Sequence, residues 1–150
     1  MTERSGDQLS TLRIQRLLPA TPQEVFDAWI DPESLRQWFC PGTVSLPSVE
    51  LDVRVGGHFR IVMRDETKDL LHSGIYREIT PPQRLVFTWR SSGTYDQETL
   101  VTIELHPRGN KTELVLTHER LPDASSAGKH EDGWQDVIGK LTVYLGTEKE

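Results

Sequence analysis

Two histidines and one tyrosine occur where a strand pattern would turn them toward a protein core. His118 continues the alternation of Leu114 and Leu116, and His72 shares one face of its segment with Tyr76. Since strand side chains alternate between two faces, these polar groups are expected to point inward. Imidazole exchanges protons near neutral pH, so His118 or Tyr76 could orient a ligand or act as a general acid or base. A hydrogen bond to a core neighbour is the alternative role, and both stay open.

Other kinds of chemical site have no support in the sequence. Cys40 is the single cysteine, and its spacing to His118 and His130 matches no compact metal-ligand motif. The pair Gly56-Gly57 joins two strand patterns and opens no helix, so it predicts a turn rather than a phosphate-binding loop. No Gly-x-Ser-x-Gly motif indicates a nucleophilic serine. We therefore expect no bound metal and no cofactor.

Aromatic residues lie on the apolar sides of several predicted elements. Packing in a solid core is one interpretation, because aromatic side chains bury large areas. Lining of a ligand pocket is the other, because such pockets are mostly apolar with few polar groups. In core-truncation experiments an empty cavity lowers stability by about 24 cal/mol per Å³. A large cavity is therefore expected to persist only where it binds a ligand. The predicted pocket residues are Trp38, Phe39, Phe59, Ile61, His72, Tyr76, Phe87, Trp89, Val101, Leu116, His118, Trp134, Ile138 and Leu141.

One long segment near the C-terminal end has the period of a helix face. The segment covers residues 130–145, and the polar residues 122–129 before it are interpreted as a crossing loop. Gly133 and Gly139 lie inside the pattern, where we expect them to allow close approach of a loop, with a hinge as the alternative. The apolar stripe consists of Trp134, Val137, Ile138, Leu141, Tyr144 and Leu145.

Two short helices and seven strands are predicted before this segment. Thr21, Pro22 and Glu24 form a capping box with proline at the first helical position, and Asp31-Pro32 begins a second helix. A first strand precedes them, and period-two alternation predicts six strands after them, with a bend at Gly74. The later strands are centred on residues 49–53, 59–63, 70–79, 85–89, 101–105 and 114–118. A long helix after a run of strands is expected to lay its apolar stripe on the sheet.

The overall composition is acidic and fits one domain. The chain has 150 residues, 17 basic and 23 acidic side chains, and a formal net charge of −6, which argues against nucleic acid or an anionic membrane surface as partner. No apolar run approaches the ~20 residues of a membrane span. The single cysteine fits a reducing compartment, and we expect a cytoplasmic protein. The expected domain covers residues 11–146, between a flexible N-terminus at 1–10 and a polar tail at 147–150.

The order of these motifs resembles the helix-grip proteins of the SRPBCC superfamily. START domains, birch-pollen-allergen-like proteins and polyketide cyclases share that fold, and the likeness is greatest to the group named for the activator of heat-shock-protein-90 ATPase. The likeness runs from about Ile14 to Leu145. Its pieces are Pro22-x-x-Val25-Phe26-x-Ala28-Trp29, Asp31-Pro32-x-x-Leu35-x-x-Trp38, Asp52-x-Arg54-x-Gly56-Gly57, Gly74-x-Tyr76-x-Glu78-Ile79-x-Pro81-Pro82-x-Arg84-Leu85-Val86-Phe87-x-Trp89, Leu116-Thr117-His118-Glu119 and Gly133-Trp134 with Leu141 and Tyr144-Leu145.

The resemblance implies an α+β helix-grip fold, in which a curved antiparallel sheet of the order β-α-α-β6-α wraps a long C-terminal helix. Proteins of this fold bind lipids, hormones and polyketides in a cavity, and some catalyse reactions. We expect a monomer or homodimer that binds a small hydrophobic, lipid- or polyketide-like molecule between sheet and helix. Two alternatives stay open because a fold does not determine function. One is a co-chaperone or protein-interaction module with a chaperone partner, and the other is a cyclase- or hydrolase-like enzyme.

Overall fold

The computed structural model describes residues 9–40 and 45–148. Of the predicted flexible N-terminus, residues 1–8 lie outside the described residues, as do residues 149–150 of the predicted polar tail. In chain order the elements are β1 Ser10–Leu18, α1 Pro22–Ile30, α2 Pro32–Trp38, β2 Ser45–Leu51, β3 His58–Arg64, β4 Asp69–Thr80, β5 Arg84–Trp89, β6 Thr99–Arg108, β7 Lys111–Leu121 and α3 Ala124–Glu148. A 3₁₀ turn, Ser92–Thr94, joins β5 to β6.

The strands form one curved antiparallel sheet. Its 7 strands follow the order β1-β7-β6-β5-β4-β3-β2, so strands that are neighbours in the chain are also neighbours in the sheet, except where β1 pairs with β7. The predicted α+β helix-grip fold with the order β-α-α-β6-α is confirmed. The short connections explain why period-two alternation was enough to predict the order of the strands.

A single register shift interrupts the pairing of β4 with β5. The shift lies between Tyr76 and Glu78, rather than at Gly74, where the sequence predicted a bend. Gly74 pairs regularly with Phe59 and serves close packing instead. A Cβ atom there would lie 1.9 Å from the carbonyl oxygen of Thr88 and 2.5 Å from the Phe59 ring. No side chain fits in that space, which explains the glycine.

The helices α1 and α2 begin at side-chain caps. Thr21 accepts a hydrogen bond from the backbone N–H of Glu24 at 3.3 Å, and the Glu24 carboxylate accepts one from the Thr21 N–H at 2.9 Å. This is the capping box that the sequence predicted. Asp31 caps α2 by accepting from the N–H of Ser34 at 3.2 Å. The two caps fix where the tryptophans and phenylalanine of these helices enter the core.

The helix α3 begins before the predicted start. The prediction that residues 122–129 form a loop is wrong from Ala124 onward, because Asp123 caps the helix by accepting from the N–H of Ser126 at 2.8 Å. The first turn lacks an apolar period because most of it faces solvent. The hydroxyl of Ser126 donates to the carbonyl of Gly93 at 2.7 Å, which ties the helix start to the 3₁₀ turn.

The apolar stripe of α3 packs on the inner face of the sheet, as predicted, where it meets β1 and β7 and also α2. Its buried members are Trp134, Val137, Ile138, Leu141 and Leu145. The expectation of close approach at the two helix glycines is wrong, because a Cβ atom at Gly133 or Gly139 would meet nothing within 4 Å. Within the described ranges, no helix is long and apolar enough to cross a membrane.

Candidate functional site

Aromatic side chains fill most of the space between the sheet and the helices. The Phe39 ring centroid lies 5.7 Å from that of Trp134 and 6.0 Å from that of Trp89, both edge to face. Phe59 meets Phe87 at 5.5 Å with perpendicular rings, an arrangement that aromatic quadrupoles favour. The hollow left among these rings measures about 20 Å³, which is room for about one water molecule. The deep interior is therefore nearly solid.

A larger hollow opens at the surface between the first half of α3 and residues of β3, β4 and β5. It measures about 150 Å³, and an apolar cavity of about that volume accommodates a benzene-sized molecule. We call it the helix groove, and its lining residues are Phe39, Met63, His72, Trp89, Lys129, His130, Gly133, Trp134 and Val137. The apolar members are buried, whereas Lys129 is exposed and the two histidines are half-buried. The groove thus has an apolar floor and a polar rim.

Two tryptophans of the groove are connected by a buried hydrogen-bond chain through His118. The indole N–H of Trp134 donates to Nδ1 of His118 at 3.0 Å, and Nε2 of His118 lies 2.7 Å from Oγ1 of Thr99. The Thr99 hydroxyl donates to the carbonyl oxygen of Trp89 at 2.6 Å. An indole can only donate, so Nδ1 of His118 is the acceptor and Nε2 carries the proton. The hydrogen-bond chain thus satisfies both nitrogens of His118, whereas the indole nitrogen of Trp89 has no partner within the described residues.

His118 is held neutral by this environment. Its side chain has no solvent exposure, and burial, with a smaller contribution from His130, lowers its pKa to about 3. Both ring nitrogens are occupied, so neither is free to contact a ligand or to exchange a proton with a substrate. The sequence left two roles open for His118, namely ligand or acid–base chemistry and a hydrogen bond to a core neighbour. The geometry favours the second, in which His118 positions the tryptophans of the groove.

His130 lies at the rim of the groove with one nitrogen engaged. Its Nδ1 lies 2.8 Å from the carbonyl oxygen of Ser126, which only accepts, so Nδ1 carries the proton. Burial lowers the pKa of His130, and the bond to Ser126 opposes the shift. In the neutral ring Nε2 is therefore an acceptor, and it has no hydrogen-bond partner among the residues that the structure describes. The ring stands at 5.0 Å from that of His118.

His72 forms the opposite part of the rim on β4. Its ring centroid lies 5.0 Å from that of Trp89, and its Nδ1 is buried without a hydrogen-bond partner in the described part of the chain. Burial, with the nearby His130 adding a small contribution, lowers the pKa of His72 to about 4, although backbone groups of Leu70 and Ile61 oppose the shift. At neutral pH the rim therefore carries two uncharged imidazoles.

The predicted pocket residues separate into three groups. The small inner hollow is lined by the predicted residues Phe39, Phe59, Ile61, Tyr76, Phe87 and Trp89. The helix groove is lined by the predicted residues Phe39, His72, Trp89 and Trp134. The structure places the others in the packed core, away from both hollows, and they are Trp38, Val101, Leu116, His118, Ile138 and Leu141. Burial also raises the pKa of Tyr76, which keeps its phenol protonated.

Several groove residues were missed in the sequence. His130 and Val137 lie four residues before and three after Trp134, so a helical wheel places them on its face. Met63 continues the alternation of Ile61 on β3 in the same way. Lys129 fell in the stretch predicted as loop, and Gly133 lines the groove by lacking a side chain. Helix phase could have found His130 and Val137, and strand alternation could have found Met63.

The described residues, 9–40 and 45–148, contain no group of three or more His, Cys, Asp or Glu side chains that could hold a metal ion. His72 and His130 form only a pair of candidate ligands at the groove. The chemistry that this site offers is therefore apolar contact together with hydrogen bonding to neutral imidazole.

Comparison with known proteins identifies the family. The family model described as "Activator of Hsp90 ATPase homolog 1-like protein" matches residues 19–146. The chain belongs to this family. The Activator of Hsp90 ATPase homolog 1-like family is part of the SRPBCC superfamily, as the sequence motifs predicted. A search of curated proteins finds no significant match.

Solved structures similar to this chain share the whole domain. The AHSA1 protein from Silicibacter pomeroyi is 31% identical, with a TM-score of 0.80 over 93% of this chain and 99% of that one. A protein from Chromobacterium violaceum is 29% identical, with a TM-score of 0.83 over 90% and 96%. A protein from Rhizobium leguminosarum is 30% identical, with a TM-score of 0.76 over 95% and 97%. The comparisons thus define the family and the fold, and the function is argued from the residues of the helix groove.

Proposed function

We propose that this protein binds a small hydrophobic molecule in the helix groove. The observation that carries the proposal is the groove itself, a hollow of about 150 Å³ with an apolar floor beside a nearly solid interior. The inner hollow of about 20 Å³ has no room for a lipid or polyketide. We therefore assign a ligand, or a ligand portion, about the size of one ring, with any longer part leaving through the open rim.

The walls of the groove are held in place before a ligand arrives. The chain from Trp134 through His118 and Thr99 to Trp89 links α3, β7, β6 and β5. Rigid walls reduce the conformational entropy that is lost on binding. A ring-sized ligand offers few atoms, so we expect a dissociation constant of roughly 0.1 to 1 mM, or about −4 to −5.5 kcal/mol.

The test is a calorimetric titration with toluene. Wild-type protein is expected to bind one toluene per chain in that range. Gly133→Leu places a side chain at the groove, where nothing lies within 4 Å of the added Cβ, and is expected to remove binding. Gly128→Leu is the matched control, because Gly128 lies on the same helix, is exposed and does not line the groove. Absence of binding to wild type, or binding unaffected by Gly133→Leu, contradicts the proposal.

An interaction with a chaperone is the second candidate function. It is favoured by the family match over residues 19–146 and requires that the protein share a compartment, the cytoplasm, with the chaperone. Pull-down from extract of the source cell, with the chaperone's ATPase rate assayed in parallel, tests it. A complex whose ATPase rate changes supports this function, and absence of both removes it.

A further inference from the structure

The two histidines of the helix groove define what polar group a ligand must carry. His130 presents Nε2 as an acceptor, since its Nδ1–H is bonded to the Ser126 carbonyl. A ligand that satisfies this nitrogen must therefore donate a hydrogen bond. Ketones, ethers and carboxylates cannot do so, whereas hydroxyl and N–H groups can.

His72 narrows the choice to a hydroxyl group. Its Nδ1 is fully buried, so a ligand can reach only Nε2, which carries the proton in one neutral tautomer and accepts a hydrogen bond in the other. With the proton on Nε2, His72 donates to a ligand, so a group that accepts from His72 and donates to His130 pairs with both rings. A hydroxyl has this dual capacity in a single atom.

Charge and shape complete the requirements. Lys129 is the charged lining residue and is exposed to solvent at the rim, so a carboxylate inside the groove would lose hydration without a buried cation. The floor consists largely of Phe39, Trp89 and Trp134, whose rings favour edge contacts with another ring. Met63 adds a thioether, which also contacts aromatic edges favourably. A volume of about 150 Å³ allows one six-membered ring.

We propose that the ligand is a single-ring aromatic alcohol of the phenol class. Its hydroxyl donates to Nε2 of His130 and meets the ring of His72, while its ring lies on the aromatic floor. This inference rests on the binding function proposed above and deepens it by naming the ligand class.

Four probes of similar size test the proposal at pH 7.5: phenol, toluene, anisole and benzoate. Phenol is expected to bind wild-type protein about tenfold more tightly than toluene, because it gains hydrogen bonds in a site with unpaired nitrogens. Anisole has the oxygen but no donor, and benzoate adds a charge, so neither is expected to bind better than toluene.

In His130→Leu the ratio of phenol affinity to toluene affinity is expected to fall close to one. In His72→Leu the same ratio is expected to fall less far, and both variants should still bind toluene. His106→Leu, at an exposed position on β6, is expected to keep the tenfold preference. Three results would overturn the ligand class but leave apolar binding in place. They are equal binding of phenol and toluene to wild type, tighter binding of anisole or benzoate than of toluene, and an unchanged phenol-to-toluene ratio in His130→Leu. Failure of every probe overturns both proposals.

Discussion

Trp134 donates its indole N–H to Nδ1 of His118 across 3.0 Å, and this bond joins the helix α3 to the strand β7. The bond sets the tautomer of His118, which in turn directs Nε2 at Thr99. One histidine thereby orients an indole and, through Thr99, the backbone of Trp89, and both tryptophans line the helix groove. The stability of the domain and the shape of its groove depend on the same buried chain.

Replacing Thr99 by valine tests this chain with almost no change in volume. The substitution leaves Nε2 of His118 and the carbonyl of Trp89 without the hydroxyl, so we expect the free energy of unfolding to fall by about 1 to 3 kcal/mol. Urea denaturation measures the change. The control is Thr102→Val on the same strand, where the side chain has no hydrogen bond within the described residues. Equal losses in the two variants would show that the chain contributes nothing.

Stability is expected to depend on pH through the buried histidines. In the unfolded chain histidine protonates below about pH 6.5, whereas in the folded protein the pKa values of His72 and His118 are about 4 and about 3. Between these limits the unfolded state binds more protons. The free energy of unfolding should therefore fall as pH falls, by up to about 1.4 kcal/mol per pH unit for each histidine.

Urea denaturation at pH 7.5, 6.5 and 5.5 measures this slope, in a range where carboxyl groups stay mostly ionised. The variant His72→Leu removes one of the lowered pKa values and should give a shallower slope than wild type. A slope that is unchanged in the variant, or stability that rises as pH falls, contradicts the assignment of neutral buried imidazoles.

Gly133 and Gly139 provide a comparison within one helix. Alanine should stabilise the protein by up to about 1 kcal/mol at either position, because the added Cβ meets nothing within 4 Å and alanine is the better helix former. Only Gly133 lines the groove, so Gly133→Ala alone should weaken toluene binding. Thermal denaturation and calorimetry report the two effects. If Gly133 instead acts as a hinge, Gly133→Ala should slow ligand exchange and leave the affinity for toluene unchanged.

Much of the fold could be predicted because its signals are local. Alternation along β3 and β5, the Thr21 capping box and the stripe of Trp134 and Ile138 each depend on residues close together in the chain. The start of α3 was missed because Ala124 and its neighbours carry no apolar period, and only the Asp123 cap marks it. Local pattern identifies an element more reliably than its end.

The site was harder to predict because it depends on distances between elements. His72 on β4 and His130 on α3 meet at one groove only through the register of the sheet and the phase of the helix. Whether Trp38 or Trp89 lines a hollow is decided by side-chain packing, which the period of a strand or helix does not encode. The sequence identified inward-facing residues, and the structure separates those at the groove from those in the solid core.

The most direct test of ligand binding in the helix groove uses the four tryptophan indole N–H signals in a ¹H–¹⁵N NMR titration with toluene. Trp89 and Trp134 line the groove, and Trp38 lines neither hollow. We predict saturable shifts of the Trp89 and Trp134 signals, while the Trp38 signal stays unmoved. In Gly133→Leu all of these shifts should be absent. No saturable shift of the Trp89 or Trp134 signal up to millimolar toluene would contradict the central claim.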